Sequence, residues 1–180
     1  ILLEEVKQNM KEGENSQINF YDCIIVGGGP AGLTAGLYLS RYRIDAVLFE
    51  KGFSGGQVNL SETIENYPGF PDGILGPELM QRFEQQATKF GLKIVNQTVE
   101  ELFRENNGGK VFFKIRTSQD NFFARSIIIS SGGEANRLGV PGEKDFIGKG
   151  VSYCGTCDGA FFRNKEIAVV GGGDTALEEA

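Results

Sequence analysis

Short β-branched runs alternate along this chain with stretches whose apolar residues recur at helical spacing. Tyr21 to Val26 is a short β-branched run that ends at glycine and predicts a buried parallel strand. Leu33, Ala35, Leu37 and Leu39 then mark a helix that ends near Tyr42. Ala46 to Glu50 predicts a second strand, which completes a βαβ unit. A Gly/Pro-rich segment from Ser54 to Pro77 follows, longer than a simple connector, and a loop of that length is expected to be either functional or disordered. Leu79, Met80, Phe83, Ala87 and Phe90 form one helix face, with Gly91 as its stop. Lys93 to Val95 predicts a short strand, and Val111–Thr117 with Phe122–Ser130 predicts a hairpin around residues 118–121. Gly132-Gly133 closes that block, and Pro141-Gly142 reads as a linker. Ahead of all this, Leu2, Leu3, Val6 and Met10 fit either a short amphipathic helix or a lightly docked extension.

The end of the chain repeats its beginning. Glu166 to Val170 precedes Gly171-Gly172-Gly173 as Cys23 to Val26 precede Gly27-Gly28-Gly29, and the second triplet follows the first by 144 residues. A repeated unit of strand, triple glycine and helix start implies two nucleotide-binding domains. The expected architecture is α/β: Rossmann-like three-layer domains on a parallel sheet, with a small antiparallel β-meander. The expected divisions are an N-terminal extension over 1–19, the first part of one domain over 20–133, and the start of a second over 134–180. Two such domains want roughly 300 residues, so the chain is expected to be an N-terminal portion of a longer enzyme. Its first residue, Ile1 rather than Met, agrees.

Composition narrows the chemistry. The chain is 40% hydrophobic and 23% charged over 180 residues, an ordinary soluble globular balance. Its net charge of −6 speaks against a nucleic-acid surface, and no apolar run approaches a membrane span. It contains no His, so imidazole general bases, triads and His metal ligands are all excluded within it. Three Cys without His leave a four-ligand zinc site short, so no metal is expected.

Three motifs carry chemistry. Gly27-x-Gly29-x-x-Gly32 lies between a strand and a helix, the context of a pyrophosphate loop. Gly27 permits the turn, Gly29 the approach of the phosphates, and Gly32 the packing of helix on strand. Glu50 lies 18 residues past Gly32, where a carboxylate can bind ribose hydroxyls. The motif leaves FAD and a nicotinamide nucleotide both open. Gly171-x-Gly173-x-x-Ala176 repeats the logic at the second site. Cys154-Gly155-Thr156-Cys157 places two sulfurs where they can close a small disulfide ring or offer a reactive thiolate. Asp158, directly after it, can move the proton that dithiol chemistry requires, or serve as a turn acid. Cys23 lies within the first strand and is expected to be buried.

At these residues the sequence resembles the low-molecular-weight thioredoxin reductases over roughly Tyr21 to Ala180. The resemblance rests on GGGPAGLTAGLYLSR from Gly27, SGGQ from Ser54, ENYPGFPDG from Glu65, CGTCDG from Cys154 and GGGDTALEEA from Gly171. It implies that Gly27, Gly29, Pro30, Ala31, Gly32, Glu50 and Lys51 hold the ADP half of FAD. Gly55, Gly56, Gln57 and Asn66 would line the flavin side, with Val99, Ser131, Gly132 and Gly133 adding backbone contacts. Gly171, Gly173, Asp174, Thr175 and Ala176 would open the site for NADPH. It further implies that Cys157 faces the flavin, that Cys154 attacks the disulfide of thioredoxin, and that Asp158 gives the proton. A homodimer, rotation of one domain against the other, and a cytoplasmic setting complete the expectation. Ser130-Ser131-Gly132-Gly133 departs from the family's usual Ala-Thr-Gly-Ala, and the returning C-terminal piece of the flavin domain is not in this sequence. The 180 residues alone are therefore expected to bind FAD poorly. The alternatives are a related disulfide reductase fed by ferredoxin, one resembling the alkyl hydroperoxide reductase flavoprotein, and a non-catalytic flavin-binding module.

Overall fold

A computed structural model describes residues 19–173, 176, 177 and 180. The helix considered around Leu2 to Met10 lies outside them. The described residues form two compact units, one from 19–59 with 77–132 and one from 60–76 with the residues from 133 onward.

The first unit is built on a six-stranded sheet. Its elements are β1 (Asn19–Val26), α1 (Pro30–Arg41), β2 (Ala46–Glu50), the 3-10 turn Gly56–Leu60 running to its border, α2 (Gly76–Lys89), β5 (Lys93–Asn96), β6 (Val99–Asn107), β7 (Lys110–Thr117) and β8 (Asn121–Ile129). The strand order is β5-β2-β1-β8-β7-β6. β5, β2, β1 and β8 run parallel, while β7 and β6 extend the sheet antiparallel. This is a Rossmann-type core with a β-meander, as the alternation of runs and glycines predicts.

The pleat explains which side chains are buried. Successive side chains of β1 point to opposite faces, and both faces are covered. Cys23 and Ile25 pack with Leu33, Leu48, Ala87 and Leu92 on the helical side. Ile24 packs with Val47, Phe49, Ile115 and Phe122 on the other. Phe49 and Phe122 meet edge to face, with ring centroids 4.7 Å apart. Each such fully buried aliphatic side chain contributes about 1.5–3 kcal/mol. α2 ends where Gly91 takes a positive φ and Leu92 donates its N–H back to the Ala87 carbonyl.

β6 was not anticipated. Its sequence, VEELFRENN, has no apolar alternation because it forms the sheet's edge and stays largely exposed. Arg116 of β7 pairs with Glu101 at 2.8 Å across it, and such charge keeps an edge from pairing further.

In the second unit, β3 (Thr63–Ile64) and β4 (Ile74–Leu75) form a two-stranded antiparallel ribbon. The chain returns at Gly133, passes through turns, and reaches α3 (Gly155–Asp158) and the 3-10 turn Gly159–Phe162. Two expectations need correction here. Glu166 to Val170 is not a strand: Ile167 and Val170 are 65% and 66% exposed. Among the described residues no strand lies beside this run, and a parallel strand without a partner leaves its N–H and C=O groups to water. Pro141-Gly142 is not a bare linker either. It opens a hydrogen-bonded turn in which Asp145 and Phe146 donate to the Gly142 carbonyl, and Glu143 beside it is buried. No described helix is long and apolar enough to cross a membrane.

Candidate functional site

In the first unit the end of β1 meets three other segments. Gly27 N–H donates to the Phe49 carbonyl and Ser130 N–H to the Val26 carbonyl, both at 2.8 Å. The Ser130 hydroxyl adds bonds to the carbonyls of Val26 at 3.1 Å and Gly27 at 2.9 Å. At Gly27, with φ of +104°, a side-chain Cβ would stand 2.4 Å from the Ser130 carbonyl oxygen. At Gly32 it would stand 1.9 Å from the Gly27 carbonyl oxygen. The turn therefore closes only without side chains at those two positions. Nothing lies within 4 Å of a Cβ placed at Gly29, so the loop is tight beneath and open above.

That open side faces the start of α1. Gly29 is the N-cap and makes no side-chain cap, while Pro30 occupies the first turn, where its missing N–H costs nothing. Leu33 N–H donates to the Gly29 carbonyl at 3.0 Å. The N–H groups that begin the helix, with the positive end of its dipole, suit an anion such as a pyrophosphate. Ala31, exposed in the same turn, adds no bulk. A cradle that admits no Cβ below and leaves room above fits a dinucleotide.

Glu50 ends β2 beside this loop. Its Oε2 accepts the Gly28 N–H at 2.7 Å and its Oε1 the Gly52 N–H at 3.1 Å. Two backbone donors thus orient a half-buried carboxylate. Lys51 follows it at the surface. The long Gly/Pro-rich segment reaches the same place: Gly55 N–H donates to the Gly28 carbonyl at 2.8 Å. Gly55 takes φ of +126°, and a Cβ on it would run into the Asn59 side chain, which itself donates to the Ser54 carbonyl. Gly56 passes Gly29 closely, its Cβ position 3.5 Å from the Gly29 Cα. Gln57 is exposed in the turn that follows. Val99 opens β6, where it packs against the same core cluster as Val26 and pairs with Thr117. Ser131 and Gly132 continue from Ser130 past the end of β8 and are exposed. Ser130 itself, which closes the cradle, was not among the expected site residues.

The second unit holds the Cys-Gly-Thr-Cys segment. Cys154 caps α3 in an extended conformation and is disulfide-bonded. Asp158 N–H donates to the Cys154 carbonyl at 3.1 Å, closing the single helical turn. Cys157 lies on α3, and its side chain is outside the described ones. The Ser152 hydroxyl joins both ends of the turn: it accepts the Cys154 N–H at 3.1 Å and lies 2.5 Å from Asp158 Oδ2. Ser152 and Asp158 both line a cavity of about 140 Å³, with Thr63, Phe161 and Phe162 among its other walls.

Glu143 anchors the residue before Cys154. Its carboxylate accepts the N–H groups of Leu138 at 2.8 Å and Gly139 at 2.6 Å, and the hydroxyl of Tyr153. The Tyr153 hydrogen bond, followed by the backbone donors, holds the Glu143 carboxyl below its ordinary range. The same bond pushes the Tyr153 phenol up, with burial and the Glu143 charge adding to it. Neither Ser152 nor Glu143 was picked out by the sequence, since their roles depend on what they touch.

Asn66 and Gly133 are exposed residues of the second unit, Asn66 between β3 and β4. At the second glycine loop, Leu177 N–H donates to the Gly173 carbonyl at 3.2 Å, and a Cβ on Gly171 would touch that of Ala176. Asp174 and Thr175 lie outside the described residues. Cys23 is a free thiol, 3% exposed, and burial chiefly pushes its pKa up.

Comparison with known proteins places this arrangement. Residues 21–180 match the family described as pyridine nucleotide-disulphide oxidoreductase. The chain is 46% identical to a thioredoxin reductase of Bacillus subtilis over 164 residues, 91% of this chain and 50% of that protein. It is 41% identical to a bifunctional thioredoxin reductase/thioredoxin of Mycobacterium leprae over 160 residues, 89% of this chain and 34% of that protein. The crystal structure of thioredoxin reductase from Streptococcus pyogenes superposes with a TM-score of 0.81 at 43% identity, covering 91% of this chain and 52% of that one. The chain spans about half the length of the Bacillus relative. On its glycine cradle, its Rossmann-type sheet and these matches, the chain belongs to the pyridine nucleotide-disulphide oxidoreductase family.

Proposed function

We propose that the full-length protein is a thioredoxin-disulfide reductase that passes electrons from NADPH through FAD to a Cys154–Cys157 disulfide and on to thioredoxin. The observation that carries the reading is the disulfide-bonded Cys154 at the cap of α3, one helical turn from the carboxyl of Asp158. The free and buried Cys23 supports Cys157 as the partner sulfur. The names of the relatives from Bacillus and Mycobacterium, the latter combining reductase and thioredoxin, support thioredoxin as the acceptor.

In this reading Gly27, Gly29, Pro30, Ala31 and Gly32 hold the FAD pyrophosphate, and Glu50 with Lys51 holds the adenosine side. Gly55, Gly56, Gln57 and Asn66 line the flavin, while Val99, Ser131, Gly132 and Gly133 add contacts. Gly171, Gly173, Asp174, Thr175 and Ala176 begin the NADPH site. Bound FAD supplies a two-electron carrier between nicotinamide and disulfide.

The chain's own residues do the thiol chemistry. The Cys154 thiolate attacks the partner disulfide, so that a Cys154–partner bond forms as the partner S–S bond breaks. The leaving partner thiolate takes the proton of the Asp158 carboxyl. Cys157 then attacks Cys154 Sγ, restoring the chain's disulfide, and its own proton goes to the second partner thiolate. Two electrons and two protons have passed to the partner, and the Asp158 carboxylate regains a proton from water. Thioredoxin sits at about −270 mV, so the Cys154–Cys157 couple works near that potential. A homodimer in the cytoplasm belongs to the same reading.

Substituting Cys157→Ser in the full-length protein tests it. The variant is expected to keep bound FAD and lose reduction of thioredoxin by NADPH. Continued reduction by the variant would overturn the relay.

A further inference from the structure

We propose that Ser152 is a positioning residue for proton transfer, holding the Asp158 carboxyl in register with Cys154. The inference rests on the reading above and adds a residue to it. The Ser152 Oγ meets three groups of the same turn. It accepts the Cys154 N–H at 3.1 Å, which fixes its direction relative to the reactive sulfur's own backbone. Its proton then faces two acceptors, the Cys154 carbonyl at 3.1 Å and Asp158 Oδ2 at 2.5 Å. The shorter contact and the carboxylate's greater strength as an acceptor favour Asp158.

The consequence is geometric. α3 is a single turn of four residues, held by the bond from Asp158 N–H to the Cys154 carbonyl. That bond fixes the Asp158 backbone and leaves its side chain free to rotate. The hydroxyl supplies the second constraint and ties the carboxyl to the residue that bonds the partner. With Oδ2 accepting from Ser152, Oδ1 is the carboxyl oxygen left to meet a leaving thiolate. The cavity of about 140 Å³ lined by both residues lets water reach the carboxyl and return the spent proton. Proton transfer depends steeply on such placement, and a misplacement of 1 Å can cost on the order of 100-fold. Threonine keeps the hydroxyl at this position, whereas alanine removes it.

The test is a mutant cycle in the full-length, FAD-loaded protein, read as thioredoxin reduction by NADPH. Ser152→Ala is expected to lower kcat about 10-fold with KM for thioredoxin unchanged. Bound flavin and melting temperature serve as controls for folding. Ser152→Thr restores the rate. Asp158→Asn lowers kcat on the order of 100-fold, and adding Ser152→Ala to it changes the rate less than about twofold, because the hydroxyl acts through the carboxyl. An unchanged rate in Ser152→Ala, a full 10-fold further loss in the Asp158→Asn background, or failure of threonine to rescue would each overturn the role of Ser152 and leave the reductase reading standing. A wild-type protein that does not reduce thioredoxin would instead overturn that reading, and this inference with it.

Discussion

Gly32 packs so tightly against the Gly27 carbonyl oxygen that a single added methyl would stand 1.9 Å from it. The contact joins the first turn of α1 to the end of β1, and Ser130 closes it from a third segment. Gly32→Ala is therefore expected to push helix and strand apart. Overpacking of this kind costs about 1–3 kcal/mol, and here it falls on the loop that would hold the FAD pyrophosphate. The full-length variant should lose several degrees of melting temperature and purify with little flavin. Normal flavin content by absorbance would contradict the tightness of the site.

Glu50 is held by the N–H groups of Gly28 and Gly52. Glu50→Gln keeps the shape but turns an NH2 group towards one of those donors. Charge-assisted hydrogen bonds carry about 1.5–3 kcal/mol each, so FAD affinity should fall roughly 10- to 100-fold. Titration of the flavin-free, full-length protein with FAD measures it directly.

Glu143 makes stability depend on pH. Its carboxyl is held below its ordinary value of 4.5 by Tyr153 and the Leu138 and Gly139 N–H groups. The folded state thus prefers the charged form, and this contribution is fully present above 4.5. It fades as pH falls from there through the folded value. The Tyr153 phenol is raised above 10.0 by the same bond, so its contribution is present below 10.0 and lost as pH rises through the folded value. Melting temperature of the wild type should therefore drop below pH 4.5, and Glu143→Gln should flatten that acid limb. An unchanged limb in the variant would contradict the assignment.

Cys23 lies against Leu33 and Leu48 in the sheet's core, and its thiol is pushed up mainly by burial. A buried, protonated thiol reacts slowly. With the native fold intact and the protein reduced, an alkylating reagent at pH 8 should label Cys154 and Cys157 well before Cys23. Mass spectrometry of the peptides distinguishes them, and early labelling of Cys23 would show its strand to be accessible.

Legibility followed the range of the physics. The Gly27 turn and the Glu50 carboxylate answer to local constraints, a strand entering a helix and a residue count, so they stand out in the sequence. β6 did not, because an exposed edge strand needs neither alternation nor apolar residues. Glu166 to Val170 has the composition of a strand, yet composition does not supply the neighbouring strand that makes one. Ser130 was missed because the carbonyls it bonds, those of Val26 and Gly27, are more than 100 residues away. Ser152 and Glu143 look like ordinary polar residues until the turn of α3 and the Tyr153 hydroxyl come to meet them.

On the proposed electron path, electrons from a nicotinamide end in the sulfur pair at Cys154 and Cys157. Counting thiols in the FAD-loaded, full-length protein under anaerobic conditions tests it most directly. One equivalent of NADPH, with one proton, should convert the disulfide into two thiols, and peptide mapping should place both labels on the segment from Ser152 to Asp158. Oxidation of NADPH with no gain of label on that segment would rule this electron path out.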